Sequence, residues 1–196
     1  MAESILLQLK REDCVYTKCY CEENIWKLCD SIRKSNLEVL PHLSVVFISN
    51  KTRSIPIWKQ RSAKSEELPV IWDYHVILLY LDQNCSKHMI FDLDSSLAFP
   101  TEALEYCSKA FCPQILLKIQ YQQFFKVIPA DEYLKNFASD RSHMMLEDNK
   151  WSSDPPDYPP ISTESSSMNL DDFISMDFET NKFGAIYSLS EFMKIV

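Results

Sequence analysis

One glycine serves the whole chain. Gly184 stands alone among 196 residues, where average usage would supply roughly fourteen. No glycine-built phosphate cradle is possible on that supply, so P-loop and dinucleotide-fingerprint chemistry are excluded. Turns that enter positive φ are expected to fall on Asn, Asp or Ser instead. In other respects the chain is composed like a protein with a core, with 46% apolar and 24% charged residues. A net charge of −8 argues against nucleic acid or an anionic membrane as partner, since both need a basic surface. The length suits one large domain, with residues 14–196 reading as one unit behind a variable lead over 1–13.

No apolar run reaches the ~18 residues of a membrane span. The apolar patch Ile5-Leu6-Leu7 has no basic lead-in and no small-residue cleavage site, so no secretory signal is expected. Seven cysteines are an odd number at no framework spacing. Free thiols in the reducing cytosol or nucleus are the expectation.

Ile25, Leu28, Cys29 and Ile32 recur with helical period. Glu22 and Glu23 in the first turn, and Arg33 and Lys34 in the last, suit the macrodipole of a helix from Asn24. Leu43–Ser49 reads as a strand, Asn50–Arg53 as a turn, and Ile55–Trp58 as a short return limited to an edge by Pro56. Gln60–Leu68 is a charged loop. Val70–Leu81 is the longest apolar run and reads as one central strand buried on both faces. Asp82–Lys87 turns the chain into a second hairpin arm, His88–Leu93.

Further on, 101–112 suggests a short helix, Phe124–Ile128 a strand and Asp131–Phe137 a helix. Trp151–Ser167, with its prolines and serines, reads as a surface loop, and Asn169–Phe173 as a helical turn. Ala185–Leu189 is a last strand, with Ser190 capping a terminal helix. The interleaving predicts a mixed α and β fold around a largely antiparallel sheet.

Three residues draw attention as chemistry. Cys21 stands at a helix N-terminus, on the face of Ile25, where unpaired N–H groups lower a thiol's pKa. A packed core cysteine explains the position equally well. His75 lies among Val, Ile and Leu in the central run and needs hydrogen-bond partners there. If the hairpin closes symmetrically over Gln83 and Asn84, His75 falls directly opposite Asp92 on the same sheet face. A slip by one residue would separate them. Together Cys21, His75 and Asp92 form the Cys–His–Asp set of thiol acyl-transfer enzymes, which papain-like and transglutaminase-like folds build from the same element types. Cys14, Cys19 and Cys21 give C-x4-C-x-C with no second ligand cluster, so no zinc site is expected. Cys85, Cys107 and Cys112 carry no further signal. His42, His88 and His143 read as surface or locally bonded residues, with His143 a candidate for a cleft wall.

Cys19–Leu28, Ile55–Gln60, Val70–Val76, Asp131–Met144 and Met168–Met176 closely resemble blocks of the eukaryotic protein N-terminal glutamine amidohydrolases, in family order over roughly 14–193. The resemblance implies a three-layer α-β-α fold of the thiol-protease and transglutaminase group. It implies a cytosolic and nuclear monomer without cofactor or metal. Its substrates would be proteins or peptides with a free N-terminal Gln, converted to Glu ahead of arginylation in the N-degron pathway. The family's catalytic Cys, His and Asp match Cys21, His75 and Asp92. The segments 62–68 and 95–124 depart from the family pattern. A non-catalytic reader of N-termini, or a broader thiol peptidase or transglutaminase, are the alternatives. Selection of a chain terminus calls for a counter-charge to the α-ammonium, for which Asp73, expected to share a strand face with His75, Asp140 and Glu22 are the candidates.

Overall fold

The computed structural model describes residues 6–81 and 87–196. The hairpin turn at Gln83 and Asn84, and Cys85 with it, lies outside the described residues. The main sheet has six strands in the order β6-β5-β4-β1-β7-β8. These are β1 Leu43–Ser49, β4 His75–Tyr80, β5 Met89–Phe91, β6 Thr101–Glu102, β7 Phe124–Pro129 and β8 Ala185–Ser188. Every neighbouring pair runs antiparallel. A separate ribbon pairs β2 Ile55–Ile57 with β3 Val70–Trp72.

Alternation along β1 divides the core. Val45 and Phe47 face one cluster, Val46 and Ile48 the other. The first cluster is covered by α1 Cys21–Ser35, α3 Ala130–Asn136 and α4 Leu170–Ile174. The second is covered by α2 Ala103–Tyr106, its π-helical continuation Cys107–Phe111, α5 Leu189–Phe192 and the β2–β3 ribbon. Helices thus lie on both faces of an antiparallel sheet, in three layers, as expected. Leu6 joins the first cluster, and the Arg11 guanidinium lies over the Phe99 ring and donates to the Leu97 carbonyl at 2.9 Å.

Four details correct the sequence reading. The run Val70–Leu81 is two strands in two sheets. Asp73 breaks it: its carboxylate accepts the Tyr74 N–H at 2.9 Å and its carbonyl accepts the Ser49 hydroxyl at 2.7 Å. A short polar side chain that bonds its own backbone offers an alternative to the ladder, so Asp73 does not share a strand face with His75. The β4–β5 register pairs Leu78 with Phe91 and Tyr80 with Met89, two residues away from the symmetric closure. A two-residue shift keeps every side chain on its expected face, which a shift of one would not. Helix α1 begins at Cys21, not Asn24. At the C-terminal helix Ser188, not Ser190, is the cap, in a reciprocal capping box with Glu191.

Positive φ also falls where composition did not place it. Of six non-glycine residues there, Cys19, Arg53, Lys59, Cys112, Arg141 and Asn149, only the last is of the expected kind. Tertiary ion pairs tie down two of the others, Arg141 to Glu23 and Arg53 to Asp171. Gly184 has φ +57, and a Cβ there would stand 2.2 Å from the Val127 carbonyl oxygen, so the entry to β8 admits only glycine.

Candidate active site

Asp92 follows β5 directly and is buried. Its carboxylate takes four donors: His75 Nε2 at 3.0 Å and the Asp94 N–H at 2.9 Å on Oδ1, Gln60 Nε2 at 3.1 Å and the Tyr106 hydroxyl at 2.6 Å on Oδ2. The side chain of Gln60 reaches it because Lys59 turns through positive φ and the loop is stitched to 95–96, with the Ser96 N–H on the Lys59 carbonyl at 2.7 Å. Tyr106 is delivered by the end of α2. Burial alone would raise this carboxyl, but the facing His75 and the donors outweigh it and bring its pKa down to about 2.

A fully ionised Asp92 fixes the tautomer of His75. Nε2 must carry the proton it donates, so in the neutral ring Nδ1 is the bare acceptor. Nδ1 is buried without a hydrogen-bond partner among the described residues. The ring is held flat against Trp72, centroids 5.5 Å apart. Burial lowers the basicity of His75, and Asp92 more than restores it, leaving the pKa above its ordinary value.

Cys21 is the first residue of α1, with its side chain only 8% exposed. Its sulfur lies at the backbone of Val76, the residue after His75, and 3.7 Å from Glu22 Oε2. The structure therefore joins His75 to Asp92 by a hydrogen bond and places the thiol at the neighbouring peptide. No thiol–imidazole hydrogen bond is formed among the described residues. Burial, and then the carboxylates of Glu22, Asp94 and Asp73, push the Cys21 thiol well above its ordinary pKa.

Glu22 was a minor candidate in the sequence and is central in space. It is fully buried, accepts the Tyr74 hydroxyl at 2.9 Å on Oε2, and leaves Oε1 without a hydrogen bond among the described residues. His143 Nε2 stands 3.8 Å from that atom. Burial raises the Glu22 carboxyl to about 7. The adjacent Glu23 is instead gripped at both oxygens by Arg141, at 2.8 Å each.

Beside the thiol opens a cavity of about 270 Å³, whose wall includes Cys21, Trp72, Asp73, Asp94 and His143. His143 is thus a wall residue. His42, His88 and Asp140 are not part of this wall, and Cys107 and Cys112 are buried elsewhere. The donors the fold gathers closely enough for a metal are His75, Asp92 and Asp94, within 4.8 Å of one another, rather than Cys14, Cys19 and Cys21. Asp92 is already taken up by its four donors and Asp94 Oδ1 by the Tyr16 hydroxyl at 2.6 Å, while the lone pair of His75 Nδ1 is left open. Gln60, Tyr106, Trp72 and Asp94 went unnoticed in the sequence. Gln60 and Tyr106 come from separate elements, and no spacing rule connects them to Asp92.

The arrangement is suited to acyl transfer: a cysteine at a helix N-terminus, an imidazole oriented by a buried acid, and the N–H groups that open the helix beside the sulfur. Residues 16–196 match the family model described as N-terminal glutamine amidase. A protein N-terminal glutamine amidohydrolase of Danio rerio is 51% identical over 181 residues, covering 92% of this chain and 88% of that protein. The protein of the same name from Homo sapiens is 50% identical, with 93% and 87% covered. That from Drosophila erecta is 43% identical, with 94% and 89% covered. At this identity over this length, the chain is an enzyme belonging to the N-terminal glutamine amidase family.

Proposed function

We propose that the enzyme hydrolyses the side-chain amide of an N-terminal glutamine in peptides and proteins, giving N-terminal glutamate and ammonia, with Cys21 as nucleophile and His75 as base. The observation that carries this reading is the state of His75: four donors on Asp92 fix the ring, and the one nitrogen left bare is the one needed to receive a proton. Because the buried thiol is neutral at rest, its proton passes to Nδ1 as the bond from Sγ to the amide carbon forms. The imidazolium then protonates the amide nitrogen, the C–N bond breaks and ammonia leaves. Water gives a proton to His75 and its oxygen attacks the thioester. The C–S bond breaks, Cys21 recovers its proton from His75, and glutamate remains. The N–H groups opening α1 are the nearest donors for the oxyanion.

Family membership and the free thiols at Cys14, Cys19, Cys21, Cys29, Cys107 and Cys112 support a monomer working in the reducing cytosol and nucleus, upstream of arginylation in the N-degron pathway. Incubation with a Gln-led peptide tests the reaction. Ammonia release with a mass gain of roughly one dalton is expected from exchange of the amide for an acid. Chain scission, cross-linking to an amine, or no ammonia would overturn it in favour of a peptidase, a transglutaminase or a non-catalytic reader.

A further inference from the structure

The cavity beside Cys21 is short of positive charge. Asp73, Asp94 and Asp171 line it, against Arg53 as the one lysine or arginine of its wall among the described residues. Arg53 is committed to Asp171 at 2.9 Å. Asp94 is held by the Tyr16 hydroxyl and lies in the field of Arg61. Beneath the wall, Glu22 keeps a buried oxygen with no hydrogen bond, and its nearest cationic candidate, His143, has its pKa lowered by its own burial. A pocket whose one lining guanidinium is already paired, beside so many carboxylates, is complementary to a cation brought by the ligand.

Among these carboxylates only one is both accessible and uncommitted. Glu22 is fully buried. Asp140 is exposed, accepts the Ser142 N–H at 2.9 Å and lies outside the wall. Asp73 is exposed in the wall, and only its Oδ1 is used, by the Tyr74 N–H at 2.9 Å. Its Oδ2 carries no hydrogen bond among the described residues. The charge of Asp73 is felt at both the Cys21 sulfur and the His143 ring, which places it across the same space. In an N-terminal glutamine the amide carbon and the α-nitrogen are four bonds apart, about 5 Å when extended. An amide carbon at the sulfur therefore leaves the α-ammonium within a cavity that Asp73 also lines. The break in the apolar run that places Asp73 here, rather than in the ladder, thereby acquires a purpose.

We propose that the Asp73 carboxylate binds the α-ammonium of the substrate's first residue and makes a free N-terminus, and not a glutamine side chain alone, the recognised feature. This rests on the function proposed above and names its specificity-determining residue. Asp73→Asn keeps the acceptor for the Tyr74 N–H and removes the charge. With a Gln-led peptide, KM should rise about 10- to 100-fold while kcat changes less than about fivefold. Wild type should prefer the Gln-led peptide over its des-amino analogue by at least about 100-fold in kcat/KM, and the variant should lose that preference. A variant that keeps the wild-type KM or the wild-type preference overturns the assignment. If Asp73→Asn fails to fold by circular dichroism, Asp73→Ser, which also caps the turn, reads the same quantities. Calorimetric binding of the free-amine and des-amino peptides separates the two claims. If wild type releases no ammonia, the reaction is wrong, yet loss of the binding preference on removal of Asp73 would still uphold the ammonium site, and its persistence would still overturn it.

Discussion

Asp92 and Glu22 are both fully enclosed carboxyl groups beside the same cavity, and their pKa values are driven in opposite directions. For each, burial is the largest influence and acts upward. Asp92 nevertheless ends at about 2 and Glu22 at about 7. The difference lies in the donors. Asp92 has a histidine facing it and both oxygens doubly bonded. Glu22 has the Tyr74 hydroxyl and a distant thiol on one oxygen, and on the other no hydrogen bond among the described residues, only His143 Nε2 at 3.8 Å. The surroundings therefore fix a permanent anion behind His75, and hold next to Cys21 a carboxyl that is half protonated near neutrality. In the proposed reaction a permanent anion stabilises the imidazolium. A second one beside the sulfur would oppose thiolate character, so its partial neutralisation is favourable.

Removing the charge of Asp92 should break this contrast most severely. Asp92→Asn leaves the shape but neither fixes the tautomer of His75 nor stabilises its cation. Ammonia release should fall on the order of 10³- to 10⁴-fold. A drop of less than tenfold would mean that the anion behind the ring is dispensable. Next in size is Arg141→Ala, which strips Glu23 of both its bonds and makes it a second, worse Glu22. Leaving a buried charge uncompensated costs about 3–5 kcal/mol, read from urea denaturation.

Glu22→Gln acts in the other direction. The folded pKa of Glu22 is raised, so its contribution to stability is intact below the ordinary value of 4.5 and is lost as pH climbs towards about 7. The groups around it, Cys21, Tyr74, His143 and Glu23, all remain in the variant. Glu22→Gln should match wild type near pH 4.5 and exceed it at pH 8 by on the order of 3 kcal/mol. Parallel stability–pH curves would show that Glu22 is not held protonated. Smallest is Tyr106→Phe, which removes one of the four donors on Asp92. A hydrogen bond to a charged group is worth about 2 kcal/mol, so stability should fall by about that much near pH 6, with the loss shrinking as acid titrates Asp92 towards about 2.

The contrast also marks what the sequence made legible. The pairing of His75 with Asp92 was readable because it depends on period-2 alternation and hairpin geometry, both local. It survived a two-residue error in register because such an error preserves the face. The donors Gln60 and Tyr106 were not readable, since they arrive from a loop and a helix with no fixed spacing to Asp92. The break at Asp73 was hidden for a different reason. Hydropathy sees Val70–Leu81 as one apolar run, and the side-chain bond to the Tyr74 N–H that ends β3 leaves no trace in it. The fates of Glu22 and Glu23 were equally hidden. Consecutive in sequence and alike in helix preference, they differ only because Arg141, held at positive φ, reaches one of them and not the other.

The proposed role of Cys21 as nucleophile is the point on which the rest depends. Cys21→Ser conserves size and helix start, so its far-ultraviolet circular dichroism and thermal midpoint should match wild type, while ammonia release from a Gln-led peptide should fall by at least about 10³-fold. A folded Cys21→Ser enzyme that retains turnover within about tenfold of wild type would contradict thiol catalysis at this site.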